Sequence, residues 1–501
     1  MAALTVDLVR RGACRWGDRT AVEYGDTSLS FTEVDLLSNR LAQAMIAAGI
    51  VPQDRVALLV ENGPFSIPLD FACLKARAVR VPLNARLAEA EHTAMLEQAR
   101  PKAIIASEVL RERAESLGHT FGMHALILPE AFDGQAQWFS GASDTDPMLD
   151  TPPDDIVLAL FTSGTTGTLK AAQHTQASYA AICTNILANL CSPARDDAML
   201  HAASLIHASG TFVLPFWING GRSIVLPGFD PSTYWDEARR HGATHVNLVP
   251  TMLQMLLENG SHAPDCVRSV IYGASPMPRP VITAAIERMG PIFTQYYGQT
   301  EAPLALAVLN AEDHLGSDAP LGSCGQVSVD VAIKLVDERG ASVATGDIGE
   351  IAVAGPMLHA GYLGAPDLDR ETRLPDGYMR TRDLGRFDEH AFLHLVDRTS
   401  DMIVSGGYNI YPREVEDALL SHPSVIEAAV VGIPDDKWVE AVCACIVLRE
   451  EISDEALKSH LRGRLASYKV PKRFERTDTL PKSPVGKILR RVLRERFVVA
   501  S

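Results

Sequence analysis

Residues 161–170 read FTSGTTGTLK. From Thr162 to Thr168 no side chain is larger than threonine, hydroxyls alternate with glycines, and Lys170 closes the run. Such a segment offers bare backbone N–H groups, hydroxyl donors and one cation together, which suits a phosphate group. The residues just before it, DIVLALF (155–161), form a continuous apolar run of strand length, so the loop leaves the end of a buried strand. It is not a Walker loop, because Gly167 is followed by Thr168 and not by Lys with Ser or Thr. On these residues alone, a plain surface turn also fits.

The alternation continues outward from this loop. SFTEVDLLSNRLAQAMIAAGI (30–50) carries apolar residues at helical spacing, with Ser30 or Thr32 as its cap and Gly49 as its stop. DRVALLV, KAIIAS, SIVLPG, THVNLVP and SVIYGAS are short strand candidates with helices between them, which predicts α/β layering with mostly parallel strands. After about Cys324 the texture changes. VAIKLVDERGASVATGDIGEIAVAG reads strand, turn, strand, the pattern of a smaller antiparallel β subdomain. From Asp401 the order is strand, helix, strand, helix, ending in the basic tail KSPVGKILRRVLRER, in which Lys482 and Arg490 read as solvated charges. The fold class is α/β, with a large N-terminal domain over 1–399 and a small α+β C-terminal domain over 400–501.

Composition narrows the function. The chain has 501 residues, 47% hydrophobic and 22% charged, ordinary for a globular protein of two or three domains. Its formal net charge of -16 argues against a nucleic-acid partner, since a phosphate backbone calls for a basic footprint. The first residues lack a leader pattern, and no apolar run approaches a membrane span. The 8 cysteines are scattered without a C-x-x-C pair, which reads as reduced thiols and a cytoplasmic location; Cys443 and Cys445 alternate in VCACIVL, as on one strand face.

The loop resembles the phosphate loop of the AMP-forming adenylate ligases, the superfamily of acyl- and aryl-CoA synthetases, firefly luciferase and peptide-synthetase adenylation domains. Further stretches are similar to that family's motifs, in its order and over nearly the whole chain: YGAS (272–275), YYGQTE (296–301), TRDLG (381–385), DRTSDMIVSGGYNIYPREVE (397–416) and LPKSPVGK (480–487). The resemblance implies an acid–CoA ligase using ATP, Mg²⁺ and CoA on a small carboxylic acid, with a mobile C-terminal domain hinged near Ser400; a homodimer is compatible with it.

The same resemblance assigns roles. Thr162, Ser163, Gly164, Thr165, Thr166, Gly167 and Lys170 would hold the phosphates, with Gly273, Ala274, Ser275, Tyr297 and Gly298 on the adenine side. Thr300 would donate to the α-phosphate, and Glu301 with Thr165 would hold Mg²⁺; Thr300 and Glu301 also fit a helix cap followed by a first-turn acid. Asp383 would accept from both ribose hydroxyls, assisted by Arg398. His207 would wall the acid pocket, and a structural role for it stays open. Ser405, Gly406, Gly407 and Tyr408 would line the thiol's path, and Arg86 would meet a CoA phosphate. Lys487, with Thr165, His207 and Glu301, would act in catalysis. Leu169 stands where proline is usual, Ala171 where glycine is, Ser400 where Asp or Lys is, Arg77 where a small residue is, and Val439 where glycine is. A slack loop before Lys170 is the expected result of Leu169.

Ser204 to Trp217 contains no carboxylate, and neither 204–216 nor 302–309 contains Lys or Arg. A substrate ammonium or a second substrate carboxylate would want such a partner, so a monocarboxylic acid with an apolar body is expected, aromatic or of medium chain length. A ligase loading a carrier protein, or a non-catalytic nucleotide-binding relative, are the alternatives. Lys487→Ala is expected to slow acyl-adenylate formation by about 10²–10³. Pyrophosphate release reads that loss, while thioester formation from a supplied acyl-adenylate should change little.

Overall fold

The apolar runs become the strands of separate sheets. The computed structural model describes residues 4–132, 136–163, 169–260, 262–405, 408–435, 438–483 and 488–498. Gly164, Thr165, Thr166, Gly167, Gly406, Gly407 and Lys487 therefore lie outside the described residues, as does the side chain of Ser163.

A nine-stranded sheet has a parallel centre made of Thr20–Tyr24, Arg222–Val225, Ala198–His201, His245–Leu248, Ser269–Tyr272 and Phe293–Gln299. Its edges turn antiparallel through Thr27–Ser30 on one side and Ala302–Leu309 with Gln326–Val327 on the other. A seven-stranded sheet carries the parallel strands Arg55–Leu59, Val79–Pro82, Ala103–Ser107, His124–Leu128 and Ile156–Ser163. There, Ile156–Ser163 pairs antiparallel with Leu169–Thr175, which pairs with Gly361–Tyr362. One apolar cluster joins the two sheets, drawing Val22 and Val225 from the first and Val157 and Leu158 from the second.

A four-stranded antiparallel sheet follows, from Ala332–Val336, Gly349–Ala354, Met379–Phe387 and Leu393–Arg398. From Ile403 onward the strands belong to a fourth sheet, in which Val425–Asp435 pairs with Val439–Leu448. Cys443 and Cys445 share one face of that last strand and are buried against Leu480 and Leu493. No helix among the described residues is long and apolar enough to cross a membrane.

Local chemistry accounts for several boundaries. The helix Phe31–Ala47 is capped by Ser30, whose side chain accepts from Glu33 N while Glu33 Oε2 accepts from Ser30 N at 2.7 Å. Arg77 adopts a left-handed φ of 56°, and its guanidinium grips Asp155 at 2.6 and 3.0 Å, so the departure from a small residue ties a helix end to the strand that feeds the loop. Leu169 pairs across from Ser163 and packs against the cluster containing Phe161 and Ala171. Strand pairing and packing therefore constrain Leu169 itself, while the loop residues 164–168 whose slackness was expected lie outside the described residues.

The basic tail is also corrected. Lys482 donates to Glu427 Oε1 at 2.5 Å, and Arg490 sits among Asp397, Asp401 and Glu416 rather than in solvent. Sequence patterning missed Lys75, which is 1% exposed and donates to Asp35 Oδ1 (2.6 Å), Ser38 Oγ (2.7 Å) and Asn39 Oδ1 (2.6 Å). It bolts the helix Ser66–Lys75 to Phe31–Ala47 by satisfying two buried acceptors, on Ser38 and Asn39, and the half-buried Asp35 carboxylate. Lys75→Met should destabilise the protein by about 3 kcal/mol, because the stranded carboxylate and acceptors lose their donor. Urea unfolding checks this, and adding Asp35→Leu should recover part of the loss.

Candidate functional site

The strand Phe293–Gln299 reverses into Ala302–Leu309 through Thr300 and Glu301, with a register shift between Tyr297 and Gln299. Only glycine fits at 298, since a Cβ there would lie 2.1 Å from the Leu304 carbonyl oxygen. Leu304 itself is held at φ 60°. A bulge of this kind re-aims the side chains on either side of it. Here it places Tyr297 toward one acidic group and makes Glu301 another.

Glu301 is 6% exposed and lies between two partners from distant strands. Tyr362 donates its hydroxyl to Glu301 Oε1 at 2.7 Å, and Lys170 Nζ lies 3.2 Å from the same oxygen. Lys170 also donates to the Tyr362 hydroxyl at 3.2 Å. Burial pushes the Glu301 carboxyl up, yet the Lys170 ammonium and the Tyr362 hydroxyl together hold it below the ordinary carboxylate value. Burial, reinforced by the Glu301 charge, raises the Tyr362 phenol, so it remains a donor.

The second group is built on Asp383, 7% exposed. Tyr297 donates to Asp383 Oδ2 at 2.7 Å, and Arg398 Nε lies 3.2 Å from Oδ1, directly across the strand pair. Burial and then the Asp383 charge push the Tyr297 phenol well up. Each carboxylate oxygen keeps a second lone pair, so two hydroxyls of a sugar could still be accepted. Arg382, just before Asp383, is held at φ 64°, and Ala274 in YGAS at φ 68°. Left-handed backbone at non-glycine residues is strained and collects at functional sites. Ser275 beside it is half-buried. Gly273 is packed tightly, a Cβ there falling 2.6 Å from the Tyr296 carbonyl oxygen.

Thr162, next to last in the strand leading into the loop, has a buried Oγ1 without a partner among the described residues. A hydroxyl left in that state fits a phosphate oxygen as its acceptor. His207 Nε2 lies 3.4 Å from Asn84 Nδ2, while Asn84 Oδ1 accepts from Arg86 N at 3.0 Å. The structure therefore joins His207 and Arg86 through Asn84, a residue that sequence reasoning missed. Ser209, in the segment expected to line the acid pocket, is tied to the buried His201, 2.9 Å from its Nδ1. Ser405 is buried and Tyr408, 57% exposed, stacks on Tyr468 at 4.5 Å; both stand in the C-terminal sheet.

Tyr362 and His174 were also missed, because a lone tyrosine or histidine carries no pattern. His174 Nε2 lies 2.8 Å from the Thr300 carbonyl oxygen, and His359 N donates to the Glu301 carbonyl oxygen at 2.9 Å. The two residues pin the turn from below.

A family model described as AMP-binding enzyme matches residues 9–363, and one described as AMP-binding enzyme C-terminal domain matches 414–487. A feruloyl-CoA synthase of Amycolatopsis sp is 37% identical over 95% of this chain and 96% of its own. A medium/long-chain-fatty-acid–CoA ligase of Mycobacterium tuberculosis is 40% identical over 70% of this chain and 62% of its own. Among solved structures, ATP-bound MatB from Rhodopseudomonas palustris superposes with a TM-score of 0.90 at 28% identity, covering 99% of each chain; the apo form of that protein gives 0.78, covering 100% of each.

Burial pushes the imidazoles of His174, His359 and His245 down to about 4, and that of His201 to about 3. In the unfolded chain the same rings titrate near ~6.5. Between these values the unfolded state binds more protons, so stability falls as pH drops from about 6.5 toward about 4. Thermal midpoints measured across that range should show this decline, and His174→Gln should flatten it.

Proposed function

The chain belongs to the AMP-binding enzyme family, and on that footing we propose that it is an AMP-forming acid–CoA ligase acting on a monocarboxylic acid with an apolar body, aromatic or of medium chain length. The observation that carries this reading is the convergence of Lys170, Glu301 and Tyr362 beside Tyr297, Asp383 and Arg398. These residues come from stretches far apart in sequence. Together they offer one cation and one hard carboxylate for a polyphosphate, and one acceptor group for a sugar.

The chemistry follows from the stability of a carboxylate. Its charge is delocalised and oxide is a poor leaving group, so a thiol does not displace it. In the first half-reaction a carboxylate oxygen attacks the α-phosphorus of ATP and the bond to pyrophosphate breaks. In the second, the CoA thiol gives its proton to solvent, its sulfur attacks the acyl carbon, and AMP leaves with the bonding pair of the broken acyl–oxygen bond. Positioning and charge stabilisation dominate such transfers. Asp383, with Tyr297 and Arg398 behind it, orients the ribose. Thr162, Thr165, Thr166, Thr300 and Lys170 bind phosphate oxygens, and Lys487 balances charge gathering at the α-phosphate. Glu301, kept ionised by its two partners, is the hard oxygen donor a magnesium ion requires, with Thr165 beside it. When bound, that ion spreads the triphosphate charge. Residues 1–399 and 400–501 then act as two parts that rearrange about Ser400 between the half-reactions, the thiol passing Ser405, Gly406, Gly407 and Tyr408 and CoA phosphate meeting Arg86.

The substrate class is supported by how the two segments free of Lys and Arg pack. Phe212 and Phe216 share one buried apolar cluster with Leu304, Ala305 and Val308, so the two segments meet each other. The feruloyl- and fatty-acid-specific names of the two relatives agree with an apolar acid body. Pyrophosphate release across a panel of acids, with and without CoA, tests the proposal. Benzoates or octanoate should be activated far faster than malonate or succinate, and AMP release should speed up when CoA is added. Faster turnover of the short dicarboxylates would overturn the substrate class.

A further inference from the structure

Arg490 is nearly enclosed by acids that lie on both sides of Ser400. Its Nε and Nη2 bind Glu416 at 3.0 and 2.7 Å, a two-point grip that fixes the guanidinium plane. Its Nη1 donates to Asp401 at 2.9 Å and lies 3.5 Å from Asp397 Oδ1. Asp401 and Glu416 follow Ser400, whereas Asp397 precedes it, in the strand Leu393–Arg398 of the four-stranded sheet. The Asp397 side chain is 2% exposed, and its Oδ2 accepts from the backbone N–H of Arg413, in the first turn of the helix Pro412–Leu420. One carboxylate of the large part is therefore seated in a socket made by the C-terminal part: a helix N-terminus and a buried guanidinium.

We propose that Arg490 is a positioning residue for the first half-reaction, holding the two parts in the adenylate-forming arrangement by binding Asp397 and releasing it when they rearrange. The proposal rests on the ligase reading above. Rotation about Ser400 separates Asp397 from the socket, while Asp401 and Glu416 travel with Arg490 and keep it paired. The guanidinium is thus never left buried without a counter-charge, which would be costly, and only the bond across Ser400 differs between the two arrangements. The arrangement seen here superposes with a TM-score of 0.90 on the ATP-bound relative and of 0.78 on its apo form, and the proposal places the closed socket in the arrangement it shares with the former.

Asp397→Asn removes the charge across Ser400 and leaves Arg490 its other two acids. Pyrophosphate release should fall about tenfold, within the usual range of coupling between states. Thioester formation from a supplied acyl-adenylate should hold or rise. Arg490→Met should shift the same ratio in the same direction, but it also strands Asp401 and Glu416, so Asp397→Asn is the deciding variant. An equal loss in both half-reactions, or no loss in either, overturns the proposal. Small-angle X-ray scattering gives a readout independent of the acid used: the parent with ATP should fit this arrangement and Asp397→Asn should depart from it. Identical curves overturn the latch even if the parent is active. A parent that releases no pyrophosphate with any acid overturns the ligase reading instead, and the scattering comparison then still decides the latch.

Discussion

The buried pair of Glu301 and Lys170, with the Tyr362 hydroxyl between them, is the interaction on which the site depends. It joins the turn of the nine-stranded sheet to the last two strands of the seven-stranded sheet. Burial alone pushes the pKa of a carboxylate 6% exposed upward. The ammonium and the phenol keep it ionised, so the same three groups that hold two sheets together also keep a hard oxygen ligand ready. Loss of any one would leave a buried partner unsatisfied, and both the sheet junction and the charge would suffer.

Around that pair the backbone is bent where the site needs it. Register shifts at Tyr297–Gln299 and at Leu384–Gly385, together with left-handed Ala274, Leu304 and Arg382, lie within a few residues of the groups that would touch nucleotide. Regular strands would point alternate side chains to opposite faces. The bulges break that alternation and let Tyr297 meet Asp383 while Glu301, four residues on, meets Lys170. The strain is carried by the surrounding sheets, which are long and well buried.

A second theme is the use of neutral buried histidines as spacers. His174 donates from Nε2 to the Thr300 carbonyl oxygen, and His201 bridges Ser209 and Ser223. Each is a compact ring with two polar ends, suited to joining backbone or hydroxyl groups across a packed interior. Their cost is a fold that weakens in acid, because burial disfavours the charged ring, even at His174 where the Glu301 carboxylate partly offsets it.

Much of this is legible in the sequence. Strand-length apolar runs, the capped helix at Ser30, the change of texture near Cys324 and the phosphate-suited loop before Lys170 follow local rules of periodicity and turn chemistry, which a linear string records, while the roles of Glu301 and Asp383 came from the resemblance to a known family. Tertiary structure decided the partners. Tyr362 lies 61 residues from Glu301 in sequence, and Lys75 lies 40 from Asp35. Asn84 stands between His207 and Arg86, and Arg490 faces acids on both sides of Ser400. None of these residues has a neighbour pattern to announce it, and Arg490 even sits in a basic tail that reads as solvated. Pairing of buried charges is set by which surfaces the folded sheets and helices bring together, and that depends on the whole chain's packing rather than on any stretch of it.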